Sequence, residues 1–166
     1  QRVFPDGWAD FLSILDEAER TDVLAAYQRR LESGDPAVVR QAALAWNRWE
    51  ELASHLVADL GPIAEEDVPK EVALARIEAH YFVNGAFLSS DDQLLRDVAK
   101  VRHLPAVIVQ GRYDMVCPAV SAWDLHEAWT ESHLLILPAA GPSADDPGSV
   151  SPLVATTRFS NCSGVS

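Results

Sequence analysis

Positive charge is scarce in this sequence. Its 13 lysines and arginines are outnumbered by 25 aspartates and glutamates, which gives a net charge of -12 over 166 residues. A surface of that sign repels phosphate backbones and anionic lipid headgroups. We therefore expect neither nucleic acid nor a membrane surface as a partner.

Long apolar runs and cysteines are also lacking. No run approaches the roughly 20 apolar residues that a membrane-spanning helix needs, and the N-terminus, QRVFPDGW, does not resemble a signal peptide. The two cysteines, Cys117 and Cys162, are far apart in the chain, so the sequence indicates no zinc site and no disulfide framework. We identify no cofactor motif, and we expect a cytoplasmic location.

What is present is a composition typical of a globular protein. Hydrophobic residues make up 48% of the chain, enough for a sizeable core in about one domain. The sequence begins without Met, and we expect its first residue to lie inside a larger protein.

The first half of the chain shows helical periodicity and no convincing strand. Asp16 and Glu19 have the spacing of a capping box, which predicts the start of a helix. Asp35 followed by Pro36 is typical of the next helix start, and Gly85 is a typical helix end. These signals predict helices over about 16–31, 37–57 and 70–84.

The second half alternates strands with helices. We predict a helix over 91–102 capped by Ser89 or Ser90, a strand over 105–110, a helix over 118–129 and a strand over 133–137. This alternation favours βαβ units and a parallel sheet, hence an α/β fold class. Two strands are too few for a stable sheet of this kind, so we expect the last edge of a larger sheet.

Asp114 lies just after the carboxyl end of the first predicted strand. Open α/β sheets hold their working residues at such positions. One interpretation is an acid that orients a histidine for a serine nucleophile. The alternative is an aspartate that caps the following turn or helix through local hydrogen bonds.

Two helices carry a glutamate beside aromatic residues. Glu50 is one helical turn from Trp46 and adjacent to Trp49, and Glu78 is three residues before Tyr81. Paired carboxylates beside aromatic walls suit a small cationic amine with an apolar body. The alternative is two amphipathic helices with solvated glutamates and tryptophans in the core.

Cys117 and the histidines are weaker candidates for catalytic or binding roles. Cys117 follows Asp114 by three residues and could line a site, but a lone cysteine is more often inert packing. The five histidines lie in or near predicted helices and at a strand start. None follows the last strand, where a general base would be needed.

Five stretches, in this order, resemble the proline iminopeptidases (prolyl aminopeptidases), serine peptidases of the α/β-hydrolase fold: AWNRWEE, LARIEAHYFVNG, DDQLLRD, PAVIVQGRYDMVCP and SAWDLHEAW. The resemblance implies that residues 1–90 are a helical cap and that residues 91–158 are the C-terminal part of the hydrolase domain. Residues 159–166 are expected to be a disordered tail.

The resemblance also implies roles for individual residues. Asp114 matches the acid of the catalytic triad. Glu50 and Glu78 match the cap glutamates that bind the free imino group of the substrate, and Cys117 matches a cysteine lining the proline pocket. The family releases an N-terminal proline from peptides by acyl transfer through a serine.

Two departures from the family lead us to expect an inactive chain. The nucleophile elbow G-x-S-x-G does not occur in the 166 residues. The family has Gly-His-Ser in the turn after the last strand, whereas this turn reads Ala140, Gly141, Pro142, Ser143. Proline at the histidine position cannot accept or deliver a proton.

A non-catalytic module that binds N-terminal proline or small amines is the alternative function. In either case the expected ligand is a peptide with an N-terminal proline. The unpaired edge of a short sheet also predicts aggregation or a partner, either the N-terminal half of such an enzyme or a second copy of the chain.

Overall fold

The computed structural model describes residues 2–144, which form two compact units. The helical unit contains residues 2–53 and 58–88, and the α/β unit contains residues 54–57 and 89–144. Cys162 and the predicted tail lie outside the described residues. Within residues 2–144 the helices are α1 (Pro5–Leu12), α2 (Val23–Leu31), α3 (Pro36–Ser54), α4 (Val68–Val83), α5 (Gln93–Asp97) and α6 (Ala119–Ala128), and the strands are β1 (Ala106–Gly111) and β2 (Ser132–Leu137).

An aromatic core holds the helical unit together. Phe11 of α1 stacks on Tyr27 of α2 with ring centroids 4.1 Å apart, and the edge of Trp46 from α3 meets both rings. The Tyr27 hydroxyl is buried and donates a 2.7 Å hydrogen bond to the Phe11 carbonyl. A buried phenol needs such a partner, so this contact orients α2 against α1.

The predicted helix over 16–31 begins as expected but does not continue. Asp16 and Glu19 make the two reciprocal bonds of a capping box, at 3.0 and 2.8 Å. A single 3-10 turn at Glu19–Thr21 follows, and then the Asp22 carboxylate accepts a hydrogen bond from the Ala25 N–H and starts α2. The continuous helix was therefore a wrong prediction, because Asp22 is itself a strong cap.

The other predicted helix limits of this unit are close to those observed. The Asp35 carboxylate accepts from the Ala37 N–H at 2.8 Å, and Pro36 is the first residue of α3. After α4, Gly85 has the left-handed φ of +55° expected of a helix stop. Ala86 and Phe87 share this left-handed conformation, which residues with a Cβ seldom adopt.

The α/β unit contains the predicted parallel pair of strands. β1 and β2 pair in parallel from Ala106 with Ser132 to Gly111 with Leu137, and α6 is the connection between them. The predicted helix over 91–102 is shorter than expected, because α5 ends at Asp97 and a 3-10 turn follows. Ser89 and Ser90 direct their hydroxyls to the side chains of Gln93 and Asp92 instead of capping the helix.

None of the helices in residues 2–144 has both the length and the apolar character needed to cross a membrane.

Candidate functional site

Glu50 and Glu78 come from different helices of the helical unit and influence one another. Glu50 lies near the end of α3 and Glu78 lies in α4, and both are half-buried. Burial raises the pKa of Glu50 to about 7, and the negative charge of Glu78 adds to the rise. The helix packing has therefore brought two like charges together in a partly desolvated place.

No cation of the described residues neutralises this pair. Within residues 2–144, neither glutamate forms an ion pair with a lysine, arginine or histidine. By contrast, Glu19 of the same unit is paired with Arg30 at 2.7 Å, and this contact lowers the pKa of Glu19. Two adjacent acids without a cation form a site that a protonated amine would stabilise.

Of the two tryptophans that the sequence predicted beside the glutamates, Trp46 contacts Glu78, whereas Trp49 contacts the rings of α1. The Trp46 indole N–H donates a 2.7 Å hydrogen bond to Glu78 Oε2, and the ring of Phe82 lies 6.0 Å from that of Trp46. Trp49 packs against the rings of α1, with centroids 5.4 Å from Trp8. Tyr81 differs from the expectation, since its ring contacts are with Phe87 and His80.

A cavity in the same unit is not lined by Glu50 or Glu78. It has a volume of about 330 Å³ and is lined by residues of α2 and α4 that include Gln28, Leu31, Arg76 and Tyr81. The carboxylate pair therefore does not form part of the wall of this cavity.

Asp114, in the α/β unit, is held by the loop that carries it. Its Oδ1 accepts from the backbone N–H groups of Val116 (3.0 Å) and Cys117 (2.7 Å), and its Oδ2 accepts from the Gln110 side chain at 3.2 Å. These hydrogen bonds confirm that Asp114 caps the turn that follows it. They do not exclude the other role, since Oδ2 retains a further lone pair.

Gln110 was not singled out from the sequence, yet its side chain organises this loop. Its Nε2 donates to the Asp114 carboxylate and also to the Cys117 carbonyl, at 3.0 Å. The signal that could have revealed it is a polar residue at the end of the apolar run PAVIVQG, next to the predicted site. An amide there provides donors that an aliphatic residue lacks.

Cys117 is exposed, which does not fit the alternative of an inert packing cysteine. Partial desolvation of the thiol raises the pKa of Cys117, and the negative charge of Asp114 acts in the same direction. The thiol therefore stays protonated at neutral pH and is a poor nucleophile. A contact role suits Cys117 better than a covalent one.

The turn containing Pro142 lies against the Asp114 loop. The Tyr113 N–H donates to the Ala140 carbonyl at 3.0 Å, and a Cβ on Gly111 would come within 2.1 Å of the Gly141 carbonyl oxygen. Only glycine allows so close an approach of the two segments. The α/β unit thus brings together Asp114 and the turn in which the sequence comparison expected a histidine.

Across the described part of the chain, no three side chains of histidine, cysteine, aspartate or glutamate form a group that could hold a metal ion.

Comparison with curated proteins finds relatives over most of the chain. The chain is 48% identical over 157 residues to a protein of Xanthomonas citri named proline iminopeptidase. It is 47% identical over 157 residues to the protein of that name in Xylella fastidiosa, and 46% identical over 154 residues to the one in Arabidopsis thaliana. No protein-family model matches the chain.

Each match covers most of this chain but only about half or less of the relative. They include 94% of this chain in the two bacterial comparisons and 92% in the plant comparison. They include 50% of each bacterial relative and 40% of the plant one. The chain thus spans about half the length of the curated relatives that it matches.

Proposed function

Since the chain belongs to the proline iminopeptidase family over the part of its relatives that it matches, we propose that it carries their determinants for recognising an N-terminal proline. In this proposal Glu50 and Glu78 bind the protonated imino group of a prolyl peptide. The observation that carries it is the half-buried carboxylate pair without a cation.

A carboxylate pair explains why such a site would require a free N-terminus. The nitrogen of an N-terminal proline is a secondary ammonium at neutral pH, with a positive charge and two N–H donors. The nitrogen of an internal proline is an amide with neither. Only the first can offset the repulsion between Glu50 and Glu78, so the pair selects against internal prolines.

For the α/β unit we propose the α/β-hydrolase fold, with Asp114 as the acid of a Ser-His-Asp triad. A carboxylate in that role fixes the tautomer of the histidine and stabilises the imidazolium that forms during acyl transfer. The hydrogen bonds from Val116, Cys117 and Gln110 suit the role because they hold the carboxylate in one orientation.

We further propose that the 166 residues alone do not hydrolyse prolyl substrates. They contain no G-x-S-x-G, and Pro142 stands where the family has its histidine. The test is release of p-nitroaniline from prolyl p-nitroanilide by the purified chain. We expect no rate above that of buffer, and a rate that persists through a second purification would overturn the proposal.

A complementation experiment separates the two missing groups. The N-terminal part of a related iminopeptidase, which contains its nucleophile elbow, is added to the wild-type chain and to the Pro142→His variant. We expect activity with Pro142→His only. Equal activity with the wild-type chain would show that Pro142 does not occupy the position of the catalytic base.

The second candidate function is a non-catalytic module that binds N-terminal proline or another small amine. It is favoured by the fact that Glu50 and Glu78 both lie within the helical unit, whereas no nucleophile elbow occurs in the chain. Calorimetry with prolyl peptides tests both candidates, because both require binding. Glu50→Gln and Glu78→Gln should each weaken it at least tenfold, as expected for loss of a desolvated charge contact.

Glu51→Gln is the matched control for these variants. Glu51 is the next residue of α3, and its carboxylate accepts a hydrogen bond from the Asp59 N–H, which a glutamine oxygen can also do. We expect this variant to bind like the wild type. Absence of wild-type binding at millimolar prolyl peptide would remove both candidate functions.

A further inference from the structure

We propose that Trp46 is a positioning residue for the amine site, acting through Glu78. Its indole N–H engages one oxygen of the Glu78 carboxylate and thereby directs the other oxygen, with Glu50, toward the ligand. This inference rests on the proposed function and adds to it a residue that does not itself touch the ligand's charge.

The hydrogen bond between Trp46 and Glu78 is short and connects two helices. The indole Nε1 lies 2.7 Å from Glu78 Oε2, and the two residues are 32 positions apart in the chain. Within residues 2–144, no other donor is recorded for the Glu78 carboxylate. The orientation of that carboxylate therefore depends on Trp46.

The donor itself has little freedom to move. Trp46 is 3% exposed, and its ring meets Phe11 at 6.0 Å and Tyr27 at 5.6 Å, both edge to face. The ring of Phe82, in α4, has its centroid 6.0 Å from that of Trp46. A ring held on several sides gives its N–H a fixed direction, which is the requirement for positioning an acceptor.

An indole has a chemical property that suits this place. It is a hydrogen-bond donor without a charge and without an acceptor atom. A lysine or arginine there would also bind Glu78, but its positive charge would compete with the ligand's ammonium group. Trp46 satisfies one oxygen of Glu78 while the pair keeps its negative charge for the ligand.

The number of donors on the ligand's ammonium group agrees with these roles of Trp46, Glu78 and Glu50. A protonated N-terminal proline offers two N–H donors, and the site offers two carboxylates, one from α3 and one from α4. Glu50 is one helical turn after Trp46 and so lies on the same side of α3. With one Glu78 oxygen occupied by the indole, one oxygen remains for one of the two protons and Glu50 accepts the other.

The test compares Trp46→Phe with Trp49→Phe by calorimetric titration with prolinamide. Phenylalanine preserves most of the ring packing and removes the N–H. Trp49 is the matched control because it lies on the same helix in the same aromatic cluster and makes no recorded hydrogen bond to Glu50 or Glu78. We expect Trp46→Phe to weaken binding by roughly 5-fold to 50-fold and Trp49→Phe to change it by no more than about twofold.

The outcomes distinguish this inference from the proposed function. If the wild-type chain fails to bind millimolar prolinamide, the proposed function is overturned before any variant is compared. If the wild type binds and both phenylalanine variants lose affinity equally, Trp46 is merely a core residue and the inference is overturned.

A second measurement serves if Trp46→Phe does not fold. The acceptor-side variant Glu78→Gln leaves Trp46 in place, and the assigned indole N–H resonances are recorded by ¹H–¹⁵N NMR. We expect the Trp46 resonance to move in Glu78→Gln and, in the wild type, during titration with prolinamide, while that of Trp49 stays near its position. If the Trp46 resonance moves neither in Glu78→Gln nor during the prolinamide titration, the inference is overturned.

Discussion

The candidate site acids of the two units, Asp114 in one and Glu50 and Glu78 in the other, have opposite surroundings. In the α/β unit the Asp114 carboxylate accepts three hydrogen bonds, two of them from backbone N–H groups of its own loop. In the helical unit the Glu50 carboxylate accepts no hydrogen bond from another residue of the range 2–144, and the Glu78 carboxylate accepts one, from the Trp46 indole. One acid is satisfied by the fold, while the other two repel each other.

This difference indicates what each acid can do. A carboxylate with its donors in place contributes to stability and keeps one orientation, which suits a residue that positions another group. A desolvated pair of like charges costs stability until a cation arrives, which suits a binding site. The same change, carboxylate to amide, should therefore have opposite effects on stability in the two units.

The largest effect is expected at Gly111, because the surroundings of Asp114 depend on the close approach of two backbone segments. In Gly111→Ala the new Cβ would lie 2.1 Å from the Gly141 oxygen and 2.8 Å from the Ala140 oxygen. Neither backbone oxygen can move without disturbing the turn. We expect a loss of about 3 kcal/mol in the free energy of unfolding, measured by urea titration.

Gly34→Ala is the control for this substitution. A Cβ at Gly34 would meet nothing within 4 Å, so we expect a change within about 0.5 kcal/mol. If Gly111→Ala were as stable as Gly34→Ala, the contact between the Asp114 loop and the turn of Pro142 would not hold in solution.

The next largest effect is a gain of stability in Glu50→Gln at alkaline pH. Folding raises the pKa of Glu50 from 4.5 to about 7, so the folded state binds more protons than the unfolded state between these values. The wild type therefore loses stability as the pH rises through this window, and the variant does not. We expect Glu50→Gln to be more stable at pH 8 by about 1 to 3 kcal/mol and nearly equal to the wild type at pH 4.5.

Thermal unfolding at the two pH values checks this prediction. The wild-type Glu51 carboxylate accepts a hydrogen bond from the Asp59 N–H. The control variant Glu51→Gln should show no comparable gain in stability. Equal stability of Glu50→Gln and the wild type at pH 8 would show that the pair is not desolvated.

The smallest effect is a loss of stability in Asp114→Asn. The amide oxygen can still accept from Val116 and Cys117, but the amide NH₂ would face the Gln110 Nε2 donor. We expect a cost of about 1 kcal/mol, measured by urea unfolding at pH 7. Asp124→Asn, on the exposed side of α6, should cost less, and a gain of stability at Asp114 would remove the contrast with Glu50.

Local signals predicted much of the secondary structure. The helix start at Asp35 and Pro36, the stop at Gly85 and the parallel β1–α6–β2 unit are each encoded within a few residues, and the structure has them. The break at Asp22 was missed because a second cap competed with the first. The left-handed φ of Ala86 has no signal in its side chain, so the sequence could not predict it.

The candidate sites were predictable only in part, because their decisive contacts join distant residues. The spacing of Trp46 and Glu50 on one helix indicated an acid beside an indole. It could not indicate that the indole N–H binds Glu78, 32 residues away. At Asp114 the sequence left two roles open, and only the structure shows that Gln110 and the backbone hold both oxygens.

The most direct test of the account is whether the carboxylate pair requires a positive charge on its ligand. Prolinamide and N-acetylprolinamide have the same ring and amide, but only the first has a protonated nitrogen. Calorimetric titration of the wild-type chain at pH 8 should show binding of prolinamide and none of N-acetylprolinamide at the same concentration. Equal binding of both ligands, or binding of neither, would contradict a site built from Glu50 and Glu78.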